Sequence, residues 1–350
     1  MKLTRRDFAA AAGGLIAAPA VLRSGGARAQ DSVTLRFHHF LPAVSNVHRR
    51  LIAPWAKKVE DMSSGKLKVQ VFPAMQLGGT PPQLYDQAKD GVVDIVWTLP
   101  GATPGRFPSA EVFELPFIAD PRGVVNARAA QEFGQTHLAD ETKDVKLLCY
   151  WCHDGGVIHS TRKMEKLEDL KGLKLRFPSR MTGEALKVAG VTAIGMPVTQ
   201  VPESVSQRVL DGAVVAWEVV PSIKLAELAR NHMEIPGAPT LYSAAFFIAM
   251  NKAKYESLPA DLRKIIDDTM GMAFATDAGK MWDEAGAEVK EAVRKRGNTI
   301  TQLSEADRVA WMKACEPVTA KWIEDQKARG LDGAKQIADA KALLAKYAKS

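Results

Sequence analysis

Short stretches of alternating apolar and polar residues are separated, along the first third of the chain, by segments with a helical period. In "VTLRFHHF" and "KLKVQVF" apolar residues recur at every second position, as in a strand with one buried face. Between them, Leu51, Trp55, Val59 and Met62 recur every three or four residues, as on one face of a helix. Pro54 lies within that helix and predicts a kink. The predicted elements are strands over 33–40, 66–72 and 92–98 and helices over 46–64 and 80–90.

The same order of elements recurs between residues 174 and 220. The pattern is typical of strands in "KLRF", "TAIGMPV" and "AVVAWEVV", and of helices that end at glycine in "SRMTGEALKVAG" and "TQVPESVSQRVLDG". "DGVVDIVW" in the first series and "DGAVVAW" in the second each bring a tryptophan to the end of a strand. Alternating strands and helices form a mainly parallel sheet with helices on both faces. The recurrence therefore predicts two similar α/β lobes that face each other.

The last hundred residues have a predominantly helical period. Just before them, "SAAFFIAMNK" at 243–252 is typical of a strand and is predicted to cross back between the lobes. A helical stretch begins at "LPADLRKIIDDTM" and extends toward Arg296, long enough to span both lobes. The predicted division is lobe I over 30–152, completed near 243–280, and lobe II over 153–242, completed by C-terminal helices near 281–350.

The N-terminus carries the features of an export signal. Paired Arg5 and Arg6 precede an apolar, Ala-rich stretch over 9–20, and Ala27-Arg28-Ala29 provides a small-residue cleavage site. The apolar stretch is shorter than the roughly 20 residues of a membrane-spanning helix. Residues 1–29 are therefore predicted to be a twin-arginine signal peptide, and the mature protein is predicted to be periplasmic.

Charge and cysteine content exclude several classes of protein. Residues 1–29 hold five basic residues and one acidic residue, so the formal net charge of +7 falls to +3 without them. No Lys/Arg-rich block remains, which argues against a nucleic-acid partner, and no later stretch is long and apolar enough to embed the protein in a membrane. Cys149 and Cys152 have CxxC spacing, but in a strand their side chains point to opposite faces, which favours core packing over a disulfide.

Candidate chemistry collects where the predicted strands end. The sequence lacks the motifs GxSxG, GxxxxGK[ST] and HExxH, and no GxGxxG opens a helix after a strand, so no enzymatic activity is predicted. In open α/β sheets, ligands bind at the carboxyl ends of strands. The residues predicted to line such a site are His39, Phe40, Trp97, Thr98, Arg176, Trp217 and Glu218. A packed role for His39 and a core role for either tryptophan stay open.

Arg176 is the most specific of these residues. It lies near the end of the strand "KLRF", two residues before Pro178, with Leu175 on the opposite face. A guanidinium group matches the two oxygens of a carboxylate with parallel N–H donors. Arg176 is therefore predicted to bind an anionic ligand between the lobes, the alternative being an ion pair with a surface acid.

Four longer stretches carry a family resemblance: "LEDLKGLKLRFPS", "VAGVTAIGMPVTQVPESVSQRVLDGAV", "FPAMQLGGTPPQLYDQAKDGVVDIVW" and "FFIAMNKAKYESLPADLRKII". They resemble the solute-binding proteins of tripartite ATP-independent periplasmic (TRAP) transporters, the DctP-like family, and the likeness extends over nearly the whole mature chain. It implies a two-lobed periplasmic binding protein fold of the α/β class, with a long helix spanning both lobes. It also implies a small organic acid held by Arg176 through its carboxylate, and TRAP membrane permease subunits as partners.

Two details of the resemblance concern the ligand. Several family members for dicarboxylates and sialic acid carry an arginine in the strand that is "HDGGVIHS" here, so its absence favours a monocarboxylate. Members that bind 2-oxo or 2-hydroxy acids can hold a cation with a Trp-Glu pair, which Trp217-Glu218 matches, and Asp154 is a further candidate ligand. The glutamine usual in that set is not evident, and the alternative is that Glu218 binds a ligand hydroxyl. Without a cation or a proton, Glu218 would repel a carboxylate.

The predicted function is thus capture of a small organic acid in the periplasm, without catalysis and without a cofactor other than that ligand-associated cation. Two alternatives stay open, an exported periplasmic enzyme and a ligand-binding protein that feeds a sensor. Analysis of candidate acids after incubation with the protein separates binding from turnover.

The export signal yields a direct test. We expect replacement of both Arg5 and Arg6 by lysine to leave unprocessed precursor in the cytoplasm, because the paired arginines are the recognised element. Cell fractionation with immunoblotting measures this, and normal periplasmic accumulation of the double variant would contradict the twin-arginine assignment.

Overall fold

The computed structural model describes residues 32–349, so the predicted signal peptide lies outside the described residues. Within this range the backbone forms eleven strands and twelve α-helices. The strands are β1 (Val33–His39), β2 (Leu67–Phe72), β3 (Ile95–Thr98), β4 (Val145–Cys152), β5 (Val157–Ser160), β6 (Lys174–Phe177), β7 (Thr192–Gly195), β8 (Gly212–Val215), β9 (Asn231–Glu234), β10 (Ala245–Asn251) and β11 (Thr299–Gln302). The helices are α1 (Ala53–Met62), α2 (Leu84–Lys89), α3 (Gly123–His137), α4 (Arg180–Val188), α5 (Val201–Ser206), α6 (Leu225–Leu228), α7 (Lys252–Ser257), α8 (Ala260–Thr269), α9 (Met272–Lys295), α10 (Glu305–Ala314), α11 (Glu316–Ala328) and α12 (Gly333–Ala348).

The strands form two separate sheets, one for each lobe. The first sheet has the order β2-β1-β3-β10-β4 and the second the order β11-β9-β5-β8-β6-β7. In the first sheet β1 pairs in parallel with β2 and β3, and in the second β6 pairs in parallel with β7 and β8. The carboxyl ends of these parallel strands define one edge of each sheet, where α/β folds bind ligands. The predicted two-lobed α/β fold is confirmed.

The chain passes between the sheets more than once. It leaves the first sheet after β4, enters the second at β5, and returns from β9 to β10, which lies between β3 and β4 and pairs antiparallel with both. Helix α12 packs on α3 beside the first sheet, whereas β11 completes the second. The boundaries of the two lobes stay a prediction, but the crossings put the connections at 153–156 and 235–244.

Three of the differences from the expected pattern concern the elements around the site and the spanning helix. Pro54 lies in the first turn of α1, and the preceding turns over Val47–Ile52 form a π-helix, because proline has no N–H for the carbonyl four residues earlier. The strand predicted over 213–220 ends at Val215, and Trp217–Val219 forms a 3₁₀ turn. The long helix is broken between α8 and α9 at Gly271, whose φ of 60° favours glycine.

Helix α9 joins the lobes. Its 24 residues, about 36 Å of helix, pack against α3 and β4 on the first side and against the Trp217–Val219 turn on the second. Asp283 of α9 accepts hydrogen bonds from the backbone N–H groups of Gly123 (2.6 Å) and Val124 (3.0 Å) at the start of α3. A carboxylate at a helix N-terminus satisfies free donors and complements the helix dipole. The contact therefore ties the spanning helix to lobe I.

The three cysteines are free and buried in this fold. Cys149 and Cys152 lie on β4 and form no disulfide, as their strand spacing predicts. No helix within residues 32–349 combines the length and the apolar character needed to cross a membrane.

The contact between α9 and α3 depends on Gly279, which yields a stability prediction. A Cβ atom at Gly279 would lie 2.4 Å from Val124 Cα and 2.6 Å from the Gly123 carbonyl oxygen, both backbone atoms. Replacing glycine by alanine inside a helix normally stabilises a protein by up to about 1 kcal/mol. Here we expect Gly279→Ala to destabilise the protein by about 1–3 kcal/mol, because the added methyl group overpacks the helix contact. Chemical denaturation measures the free energy of unfolding.

The matched control is Ala287→Gly on the exposed face of the same helix. It should cost only the propensity difference of about 1 kcal/mol. A Gly279→Ala protein as stable as wild type would show that the two helices separate without penalty.

Candidate ligand-binding site

A cavity of about 400 Å³ lies between the two sheets at the carboxyl ends of their strands. Its wall includes the residues that follow four parallel strands: Phe40 after β1, Leu99 after β3, Pro178 after β6 and Ala216 after β8. The rest of the wall that concerns the chemistry consists of Trp97, His153, Arg176, Phe177, Arg180, Met196, Glu218, Tyr242, Phe246 and Trp282. Both lobes contribute, so the cavity depends on their relative position.

Arg176 is a buried cation in this wall, with 4% of its surface exposed. Its Nε donates to the Met196 carbonyl oxygen (2.9 Å) and its Nη1 to the Val214 carbonyl oxygen (3.3 Å). Among residues 32–349 no carboxylate lies within ion-pair distance of it. Burial lowers the pKa of Arg176 to about 10, which still leaves it charged at neutral pH. The guanidinium group is thus oriented by the backbone and has no counter-charge.

The second arginine in the wall, Arg180, differs in this respect. It forms hydrogen-bonded ion pairs with Glu111 (2.7 and 3.2 Å) and with Asp325 (3.3 Å). Glu111 also accepts from the indole N–H of Trp322 (3.1 Å). Since two carboxylates already balance Arg180, the uncompensated positive charge of the wall is that of Arg176.

Aromatic rings form much of the remaining surface. Phe40 and Trp97 are stacked with ring centroids 4.5 Å apart, and Phe246 lies 5.4 Å from Trp97 and 5.4 Å from Trp282. Flat rings in this arrangement offer faces and edges to another ring. The wall is therefore largely aromatic, with the guanidinium group of Arg176 as its cation.

Glu218 is the acidic residue of the wall and is only 1% exposed. Its Oε1 has no hydrogen-bond partner among the described residues. Burial, reinforced by the neighbouring carboxylate of Asp154, raises the pKa of Glu218 to about 8. A carboxyl group with that pKa is predominantly protonated at neutral pH, so it does not repel an anion in the same cavity.

A ligand-associated cation fits these residues poorly. The indole N–H of Trp217 donates to Glu234 (3.0 Å), and its ring packs between His159 and His232, outside the cavity wall. Asp154 also lies outside the wall, although its Oδ1 has no hydrogen-bond partner among the described residues. Within residues 32–349 no three His, Cys, Asp or Glu side chains are grouped as a metal ion requires.

The structure separates the predicted site residues into two groups. Phe40, Trp97, Arg176 and Glu218 lie in the wall, whereas His39, Thr98, Trp217 and Asp154 are buried beside it. Their roles in binding stay predictions.

His39 illustrates why an adjacent residue lies outside the cavity. Its Nε2 is paired with Nδ1 of His48 (2.9 Å), and its ring packs against Phe37 and Trp97 beneath the sheet edge. Burial among these groups lowers its pKa to about 3, so it is neutral.

Several wall residues escaped the sequence argument, and four of them lie away from the ends of the parallel strands: His153, Tyr242, Phe246 and Trp282. His153 and Tyr242 lie on the connections between the sheets, Phe246 on β10 and Trp282 on α9. None ends a parallel strand. The sequence feature that could have indicated them was the predicted crossing strand at 243–252, because a segment that runs from one lobe to the other passes the site between them.

Comparison with known proteins identifies the family. The profile of the family described as DctP, bacterial extracellular solute-binding protein, family 7, matches residues 37–326. The chain belongs to this family, as its motifs predicted.

Solved structures of TRAP solute-binding proteins share the fold. One from Rhodoferax ferrireducens, in complex with copurified benzoate, is 43% identical, covers 91% of this chain and 99% of its own, and has a TM-score of 0.88. A marine metagenome protein specific for aromatic acid ligands, in complex with 3-hydroxybenzoate, is 43% identical over 90% of this chain and 99% of its own, with a TM-score of 0.88. A periplasmic protein from Bordetella bronchiseptica with bound (R)- and (S)-mandelate is 25% identical over 90% and 99% of the two chains, with a TM-score of 0.83.

The pKa of Glu218 leads to a prediction about pH. The folded-state pKa of about 8 lies above the usual 4.5, so folded protein retains a proton that the unfolded chain releases, and stability falls as pH rises from about 4.5 to 8. We expect Glu218→Gln to lack this loss, so that its stability relative to wild type rises between pH 5 and pH 8 by on the order of a few kcal/mol.

Denaturant titrations across that pH range measure the difference. Glu256→Gln, on the exposed surface of α7, is the control and should follow wild type at every pH. Parallel curves of unfolding free energy against pH for Glu218→Gln and wild type would mean that Glu218 is ionised in the folded protein.

Proposed function

We propose that this protein is the periplasmic solute-binding subunit of a TRAP transporter that captures an aromatic monocarboxylate and delivers it to a membrane permease. The observation that carries the proposal is the buried, uncompensated guanidinium group of Arg176 in a cavity walled by aromatic rings. A buried charge without a partner is unfavourable unless a bound group neutralises it. An anionic ligand supplies that group.

Aromatic character is supported by the rings of Phe40, Trp97, Phe246 and Trp282, which are spaced to contact a flat ring. The two relatives at 43% identity were solved with benzoate and with 3-hydroxybenzoate. The volume of about 400 Å³ lies within the range of small-molecule sites. A single aromatic acid is of this scale.

A single carboxylate is favoured by the charges of the wall. Arg176 is free to bind one carboxylate, while Arg180 is balanced by Glu111 and Asp325. A second carboxylate would therefore lie in the cavity without a fixed counter-charge. The protonated Glu218 can hydrogen-bond a polar substituent but cannot neutralise an anion.

Location and partner follow from the family and the N-terminus. The twin-arginine signal predicts export, and the Bordetella relative is described as periplasmic. A binding protein with two lobes closes around its ligand and releases it on opening. The proposed role is thus transfer of an unmodified acid, with no chemical step.

Arg176 tests the proposal. Removing one partner of a buried charge pair costs about 2–5 kcal/mol, so we expect Arg176→Ala to weaken benzoate binding by roughly 30-fold to several thousand-fold. Arg176→Lys should also bind poorly, because an ammonium group cannot keep the bonds to both Met196 and Val214 and still meet a carboxylate. Titration calorimetry measures both.

The control is Arg106→Ala, which removes the same charge at a half-exposed ion pair with Asp86 outside the wall and should bind benzoate normally. Wild-type affinity in folded Arg176→Ala would exclude the carboxylate role. Chromatography of the acid after prolonged incubation tests the enzyme alternative, since conversion of benzoate would contradict a pure binding function.

A further inference from the structure

Tyr242 carries a buried hydroxyl group with no hydrogen-bond partner. The residue is 1% exposed, lies in the cavity wall, and its Oη is unpaired among the described residues. Buried tyrosine hydroxyls usually find a partner, because leaving one unpaired costs free energy. The unpaired hydroxyl group thus belongs to a residue of the cavity wall, where a polar group of a ligand can supply the missing partner.

The neighbouring charge shows which part of the ligand it would meet. Tyr242 lies close enough to Arg176 that the two groups influence each other's ionisation, and burial keeps the phenol protonated by raising the pKa of Tyr242. The O–H group is therefore a donor on a residue that lines the same cavity as the guanidinium group. A donor next to a cation matches an anion, not a second cation or a neutral donor.

The existing hydrogen bonds of Arg176 limit how many bonds its guanidinium group can donate to a ligand carboxylate. Its Nε is engaged by the Met196 carbonyl, so the side-on fork that uses Nε and Nη2 is closed to a ligand. Nη1 also gives a bond to the Val214 carbonyl. A carboxylate has two oxygens and about four acceptor positions, and a guanidinium group restricted in this way cannot satisfy them all.

The position of the Tyr242 ring leaves no room for a side chain at residue 156. The Gly156 N–H donates to the Tyr242 carbonyl (3.1 Å), and a Cβ atom at Gly156 would lie only 1.8 Å from Cε1 of the tyrosine ring. The ring of His153 meets it edge-on, with centroids 5.5 Å apart. Because Gly156 has no positive φ, the ring of Tyr242 is what requires the absence of a side chain there.

We propose that Tyr242 is a specificity-determining residue, whose hydroxyl group donates a second hydrogen bond to the ligand carboxylate held by Arg176, and that Gly156 is present to admit its ring. This inference rests on the proposed binding of an aromatic acid. It assigns recognition of the carboxylate to two of the connections between the lobes, since Gly156 lies on the connection at 153–156 and Tyr242 on the one at 235–244. Binding of the carboxylate and the geometry of those connections are then coupled.

Tyr242→Phe with benzoate as the probe is the principal test. Hydrogen bonds to charged groups contribute roughly 1.5–3 kcal/mol, so we expect an affinity loss of about 10- to 150-fold by calorimetry. The ligand-free variant should be at least as heat-stable as wild type, because the change removes an unpaired buried hydroxyl. This combination separates ligand recognition from a structural role.

Tyr85→Phe is a matched control. Tyr85 is also buried with an unpaired hydroxyl, but it lies outside the cavity wall, so its loss should leave benzoate affinity unchanged. Gly156→Ala should weaken binding in the wild type and cost little more in a Tyr242→Ala background, where no ring opposes the new methyl group.

The outcomes distinguish this inference from the proposed function. Benzoate binding by wild type with an unchanged affinity in Tyr242→Phe overturns the role of Tyr242 and leaves the aromatic-acid function standing. Additive losses in the Gly156 and Tyr242 double variant overturn the role of Gly156. Failure of wild type to bind any aromatic acid overturns both proposals.

Discussion

A buried positive charge without a fixed partner is the constraint around which the site is arranged. Desolvation of Arg176 opposes folding, and the carbonyl groups of Met196 and Val214 offset only part of that cost. They also orient the guanidinium group before any ligand arrives, which lowers the entropy lost on binding. The cavity exists because two sheets bring the ends of parallel strands together, and the same enclosure that makes the charge unfavourable makes its neutralisation by an anion effective.

Exclusion of water sets the state of the other ionisable group in the cavity. Burial favours the uncharged form of both groups, so it lowers the pKa of Arg176 and raises that of Glu218. At neutral pH, however, only the carboxyl group becomes neutral. The wall then presents one positive charge, aromatic faces and donors without partners. A site of this kind distinguishes ligands by their polarity as much as by their shape, because a ligand that leaves a donor facing an apolar group binds with a less favourable free energy.

Local periodicity was sufficient to predict most strands. It did not predict the places where a single residue or a distant contact changes the course of the backbone. The strand "KLRF" was predicted with the bounds that β6 has. Pro54 produced a π-helix instead of a simple kink, and Gly271 divided a helical stretch that looked continuous. The strand before Trp217 ends early because the indole group turns toward Glu234 and a histidine pair in the second sheet, contacts that no local pattern encodes.

The sequence by itself determined the family, the two-lobed α/β class and the position of Arg176 at a strand end, because these depend on short periodic patterns and on motifs in order. Only the tertiary structure decided which neighbour at each strand end enters the cavity, Trp97 and not Thr98, Glu218 and not Trp217. It also decided that Arg180 is neutralised by Glu111, 69 residues away, while Arg176 is not. Charge pairing, desolvation and the meeting of Tyr242 with Gly156 are long-range effects, set by which segments the folded chain brings within a few ångströms of each other.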